Sequence, residues 1–96
     1  MNKLRLKHLL SGLKAGKKEY FEEFYRLTKG AVWYSVLRYV KSRFYVEDII
    51  QDAYIAFLNH LEAVNGDPLP FLCTIAKNKA LDSIKKDARL DKNPLP

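Results

Sequence analysis

Apolar and polar residues along this 96-residue chain recur at three- and four-residue spacing, the period of an amphipathic helix, with no strand-like alternation. Over 17–42, Tyr20, Phe21, Phe24, Leu27, Ala31, Val32, Ser35, Val36 and Tyr39 share one side when each residue is turned by about 100°. The spacing predicts one long core helix. Arg26, Trp33 and Leu37 fall opposite, so Trp33 is expected to pack under an N-terminal helix or else to belong to a partner surface. Gly30 within this helix costs about 1 kcal/mol relative to Ala, which implies close packing or a bend. Over 46–64, Val46, Ile49, Ile50, Ala53, Tyr54, Phe57, Leu58, Leu61 and Val64 form one broad apolar arc and predict a second helix. A third is predicted over 71–88, with Leu72, Cys73, Ala76, Ala80 and Ile84 inward and Phe71 and Ile75 at the border.

The first residues, "MNKLRLKHLLSGLKAG", begin like a signal peptide, but Lys7, His8 and Lys14 interrupt the apolar run and no cleavage-like site follows. They read as a short helix. Gly and Pro gather at Gly12 and Gly16, at Gly30, in "NGDPLP" over 65–70 and in the final "NPLP", which punctuates the helices. The expected fold is all-α, a compact three- to four-helix bundle forming one domain.

The polar sides of the last two helices are less ordinary. Asp48, Gln51, Asp52, Ile55, Asn59 and Glu62 make a narrow stripe of acids and amides around one bare isoleucine, with no cation. Solvated helix faces normally mix Lys with Glu at supportive spacing. An acidic rim around an apolar anchor is how a docking surface for a basic partner is built. The helix dipole accounts for Glu47 and Asp48 near the N-terminus, but not for Ile55 or Glu62. In the last helix Asn78, Lys79, Asp82, Lys85 and Lys86 share the outer arc, and Asp82 is spaced to hold the side chains around it in register. Lysines attract phosphate irrespective of sequence, Asn offers a two-point edge to a base, and Phe71 is placed to stack on an unpaired one.

Charge along the chain follows the same division. Residues 1–18 carry six Lys/Arg and no acid, 77–92 carry six against three Asp, and 44–76 carry only acids. Such segregation suggests two partners, a polyanion and a basic surface. A hydrophobic content of 48% with 29% charged residues is ordinary globular composition, without the signature of disorder or of a membrane span. The lone Cys73 argues against a disulfide framework and fits a reducing compartment, with the cytoplasm as the expected location. His8, His60 and Cys73 lack metal-ligand spacing, and no phosphate loop or nucleophile motif is present, so neither an enzyme nor a bound metal or cofactor is expected. His60 lies near the inward edge of its helix and is expected to be packed.

"VEDIIQDAYIAFLNHL" followed by "FLCTIAKNKALDSIKK" resembles region 2 of bacterial RNA polymerase sigma factors, particularly the extracytoplasmic-function type. The family's polymerase-binding helix reads E-D, two apolar residues, Q, D or E, any residue, then an aromatic. Glu47, Asp48, Ile49, Ile50, Gln51, Asp52, Ala53 and Tyr54 match it in order. Its promoter helix reads I-A-R/K-N-x-A, an apolar residue, D-x-x-R/K, matched by Ile75, Ala76, Lys77, Asn78, Lys79, Ala80, Leu81, Asp82, Ser83, Ile84 and Lys85. "AGKKEYFEEFYRLTKGAVWYSVLRYV" is similar to the family's first long helix, with Gly16 where a Gly-Asp is usual, and the resemblance spans about 9–89.

The resemblance implies a transcription-initiation module. Asp48, Gln51, Asp52, Ile55 and Asn59 would meet the clamp helices of the largest subunit of core RNA polymerase. Asn65, Gly66, Asp67, Leu69 and Phe71, with Asn78, Lys79, Asp82, Lys85 and Lys86, would capture bases of the single-stranded non-template strand at the −10 promoter element. An anti-sigma factor is a further candidate partner. The alternative is a sigma-like interaction module that binds polymerase or an anti-sigma factor without opening DNA. The chain departs from the family pattern in having Phe71 for the usual Trp, "DPLP" for the usual lead-in, and Lys where Arg is common, which lacks the bidentate fork. The domain is expected over 1–90, with 91–96 as the start of a linker toward a C-terminal domain that reads the −35 element in complete factors. An excised fragment is preferred over a natural minimal protein.

Overall fold

A computed structural model describes residues 3–92, with side chains over 3–86. Four helices account for most of it: α1 (Lys3–Lys14), α2 (Phe21–Leu37), α3 (Arg43–Asn59) and α4 (Pro68–Lys92), with single 3-10 turns at Lys18–Tyr20 and Leu61–Ala63. No strand occurs among the described residues. Helix α4 packs against each of the other three.

In α1, Leu6, Leu9, Leu10 and Leu13 recur at three- and four-residue steps and are all buried. The helix stops in a Schellman turn: Lys17 N–H donates to the Gly12 carbonyl at 2.9 Å and Gly16 N–H to that of Leu13 at 3.0 Å, with Gly16 at φ +85°. A left-handed residue there favours glycine. Gly12 is needed for another reason, because the Tyr20 ring lies directly against its α-carbon; an added Cβ would stand 1.8 Å from Cδ2. Arg5 ties α1 to α2 through a two-pronged pair with Glu23, both contacts at 2.6 Å. These shared hydrogen bonds raise the arginine's pKa and hold the Glu23 carboxyl below its usual range.

The expected long helix over 17–42 is shorter at both ends. Helix α2 ends at Leu37, and the chain turns so that Val40 enters the core with its N–H on the Val36 carbonyl at 3.0 Å. Burial of Val40, not a Gly or Pro signal, ends the helix. The inward face is also rotated from expectation: Phe24, Thr28, Val32 and Val36 are buried, whereas Leu27 is on the surface. Thr28 is tolerated inside because its hydroxyl is satisfied twice. It donates to the Phe24 carbonyl at 2.8 Å and so receives the Tyr54 hydroxyl at 2.6 Å. Gly30 is exposed and a Cβ there would meet nothing within 4 Å, so close packing does not explain it.

The α3 arc is largely as expected, with Val46, Ile49, Ile50, Ala53, Tyr54 and Phe57 buried and Leu58 on the surface. Phe57 stacks on Phe24, ring centroids 5.2 Å apart, and joins α2 to α3. His60 is exposed rather than packed; its ring Nδ1 lies 2.8 Å from the Ala56 carbonyl, covering a group that the end of α3 leaves without a partner. Buried Val64 follows, and its carbonyl accepts Lys14 Nζ at 2.6 Å.

Helix α4 begins three residues earlier than expected. Asp67 Oδ1 accepts the Leu69 N–H at 3.1 Å, and Pro68 takes the first helical position, where a missing N–H does no harm. Leu72, Ala76 and Ala80 face the core. Ile84, expected inward, is 38% exposed. The helix continues to Lys92, and 93–96 of the expected linker lie outside the described residues.

Candidate functional site

Two polar rows emerge from this packing because α3 and α4 each spend their apolar arc on the core. On α3, Asp48, Gln51, Asp52, Ile55 and Asn59 are all exposed, and Ile55 is 53% accessible although fully apolar. Among the described residues no ion pair engages Asp48 or Asp52. On α4, Asn78, Asp82, Lys85 and Lys86 are exposed and Lys79 is half-buried. From Phe71 to Lys86 the α4 row runs about 22 Å along the helix axis.

The rows are neighbours. Tyr45, Asp48, Ile49 and Asp52 form one wall of an open cleft of about 570 Å³, and Lys79, Asp82, Ser83, Lys85 and Lys86 form the other. One wall is acidic and the other mainly cationic, yet no ion pair bridges them among the described residues. Both sets of charges therefore remain available to outside groups.

The α3 row has a second border on the side of α2. Gln51 and Ile55 stand at the edge of an open aromatic cleft of about 590 Å³, whose walls include Phe21, Tyr25, Trp33, Tyr54 and Leu58. Trp33 thus faces α3 across this cleft, while part of its ring packs on the core. Burial pushes the Tyr54 hydroxyl up to about 12, an effect its bond with Thr28 partly opposes. Glu47 supplies the one carboxylate of the cleft lining.

The loop expected to capture a base is divided. Asn65 and Gly66 are exposed, with Gly66 at φ +76°. Asp67 is engaged in capping α4, Leu69 packs partly on the core, and Phe71 meets Phe57 edge-on with ring centroids 6.2 Å apart. These three have structural duties that spacing alone did not reveal.

Sequence reasoning passed over Phe44 and Tyr45, an exposed aromatic pair at the start of α3 with ring centroids 5.7 Å apart. The available signal was that two aromatics directly before Val46 cannot both face the core. Among the described residues no group of three His, Cys, Asp or Glu is disposed to hold a metal, and no helix is long and apolar enough to cross a membrane.

The family model for sigma-70 region 2 matches residues 24–90, well over half of the chain and inclusive of both rows. No curated protein and no solved structure matches the chain. The family consists of transcription-initiation factor domains that engage RNA polymerase and promoter DNA, without enzymatic activity of their own. With its helical architecture and its matched span in agreement, the chain belongs to the sigma-70 region 2 family.

Proposed function

We propose that this domain binds core RNA polymerase through the α3 row and grips the non-template strand of the −10 element along α4 and the loop before it. One observation carries the reading: the side chains at the family's contact positions on both helices are left over from folding. Asp48, Gln51, Asp52, Ile55 and Asn59 stand exposed in one row and Asn78, Asp82, Lys85 and Lys86 in the other, and the core closes without them. Acids around an apolar anchor suit a basic partner surface, which here would be the clamp helices of the largest subunit. Lysines with an amide suit a melted strand, whose phosphates are attracted and whose bases are open at their edges. On this reading the protein is a cytoplasmic factor of the extracytoplasmic-function type, whose domain takes in 1–90.

A second reading, a sigma-like module that occupies polymerase or an anti-sigma factor without opening DNA, draws support from the loop. Asp67 and Phe71 are engaged within the fold, which leaves Asn65 and Gly66 as the loop's freest groups.

Two measurements test these readings, and the second separates them. Asp48→Lys with Asp52→Lys is expected to abolish capture of core polymerase while leaving the helical spectrum and melting intact; undiminished capture would refute the α3 assignment. Fluorescence anisotropy with short single-stranded −10-type DNA, against a scrambled strand, is expected to show sequence-dependent binding that Asn78→Ala and Lys85→Ala weaken. Absence of such binding with polymerase capture retained would establish the second reading.

A further inference from the structure

A third cationic feature lies away from both rows, where the end of α2 meets the middle of α4. Arg38 and Lys77 line a recess of about 140 Å³ together with Ser35, Tyr39, Cys73 and Thr74. No acid lines it, and among the described residues neither cation has an ion-pair partner. Two like charges sharing a recess without a counter-charge disfavour each other, and an anion between them relieves this.

The donors are prepared for such an anion. The Arg38 guanidinium sits 6.0 Å from the Tyr34 ring centroid and 5.9 Å from that of Tyr39, which holds its planar fork in place. Ser35 already donates its hydroxyl to the Ala31 carbonyl at 3.0 Å, so it offers only acceptor capacity. The Tyr39 and Thr74 hydroxyls have no protein partner among the described residues and are free to donate. The negative end of the α2 dipole opposes an anion here, but Lys41 Nζ already neutralises part of it by donating to the Leu37 carbonyl at 2.9 Å.

We infer that Arg38 and Lys77, with the Tyr39 and Thr74 hydroxyls, form a seat for one phosphate group of a nucleic-acid backbone. The recess is well below the size of pockets that enclose a whole small molecule, which fits one group of a larger ligand. Thr74 precedes Asn78 by one turn, about 6 Å along α4, so the recess adjoins the proposed strand-binding row. The seat thus extends the proposed α4 contact toward α2, and as a backbone contact it rests on the nucleic-acid reading above.

The test uses the full chain with Arg38→Gln, Lys77→Gln and both together. Each is measured for single-stranded DNA affinity across a salt series, with an NMR titration of inorganic phosphate alongside. Because both cations hold one phosphate, the double variant is expected to lower the slope of log K against log salt by about 0.7, and each single variant by less, since the cation left behind still neutralises that phosphate. Inorganic phosphate is expected to shift the resonances of Tyr39, Thr74 and Lys77 in the parent and not in the double variant. An unchanged slope in the double variant, or a loss there of about twice that value, overturns the shared seat. Phosphate shifts in the recess without any DNA binding would retain an oxyanion seat and overturn its assignment to a backbone phosphate, the failure then lying with the nucleic-acid reading. Absence of phosphate shifts at the recess overturns the seat whether or not DNA binds.

Discussion

Replacing Gly12 with Ala should destabilise the protein, although the same change inside an ordinary helix stabilises. On propensity alone, Ala in place of Gly within α1 gains about 1 kcal/mol. Against that gain stands the Tyr20 ring: the new Cβ would lie 1.8 Å from Cδ2, 2.1 Å from Cε2 and 2.9 Å from Cγ. Because Cγ is among the clashing atoms, spinning the ring about its own axis brings no relief, and the whole side chain must be displaced. It has little room, since the ring packs against His8 with centroids 5.6 Å apart and lies 5.9 Å from Lys17 Nζ. Overpacking of this kind typically costs about 1–3 kcal/mol, so the net expectation is a loss of about 1 kcal/mol. For a domain of this size that lowers Tm by about 4–8 °C. The decisive measurement is a double-mutant cycle by urea denaturation, with Tyr20→Ala as the second arm. Without the ring, Gly12→Ala should reverse sign and stabilise by about 1 kcal/mol, a coupling well above the error for neighbouring sites. Stabilisation of equal size in both backgrounds would refute the close-contact argument.

Gly30→Ala is the counterpart in open space: with nothing within 4 Å of the new Cβ, it should stabilise α2 by about 1 kcal/mol, and a lowered urea midpoint would contradict that. The buried Tyr54 hydroxyl ionises near 12 instead of 10, so between those values the native state keeps a proton that the unfolded state releases. Stability should therefore fall as pH rises through this window, by on the order of 2 kcal/mol, and denaturation of Tyr54→Phe over the same range should lack that component. Thr28→Val leaves the Tyr54 hydroxyl buried without its partner and should cost about 1–3 kcal/mol at neutral pH; a neutral outcome would mean that the hydroxyl finds water. Asp67→Ala should cost about 0.5–2 kcal/mol by removing the α4 cap, whereas Asp67→Asn should be nearly silent in thermal melts, and equal losses would argue against capping.

Much of this was legible because core helices advertise themselves through spacing. The buried arcs of α3 and α4 and the exposed rows on their far sides follow from the period alone, as at Ile50, Phe57, Asp48 and Asn78. What escaped was decided by contacts between distant residues. Nothing local marks the end of α2 at Leu37, because burial of Val40 sets it. Thr28 reads as an interruption of an apolar stripe until Tyr54 is brought to it from 26 residues away. Ile84 has the right phase to be core yet stays partly exposed, and His60 is drawn outward to serve a carbonyl. Asp67 and Phe71 were assigned to a partner because spacing does not say whether a loop side chain is already in use. The juxtaposition of Arg38 with Lys77, like the common cleft of the α3 and α4 rows, exists only once the helices are packed.

Lys14 at the end of α1 reaches across to the Val64 carbonyl, just ahead of the exposed Asn65 and Gly66. The span matched by the family model opens at residue 24, after α1 has ended. Similarity and mechanics thus draw different borders. Leu6, Leu9, Leu10 and Leu13 fill part of the shared interior, so an excision beginning at Phe24 would strip one wall from the hydrophobic interior and unlatch the segment that leads into α4. The smallest piece that carries the family signature is smaller than the smallest piece expected to stand up by itself.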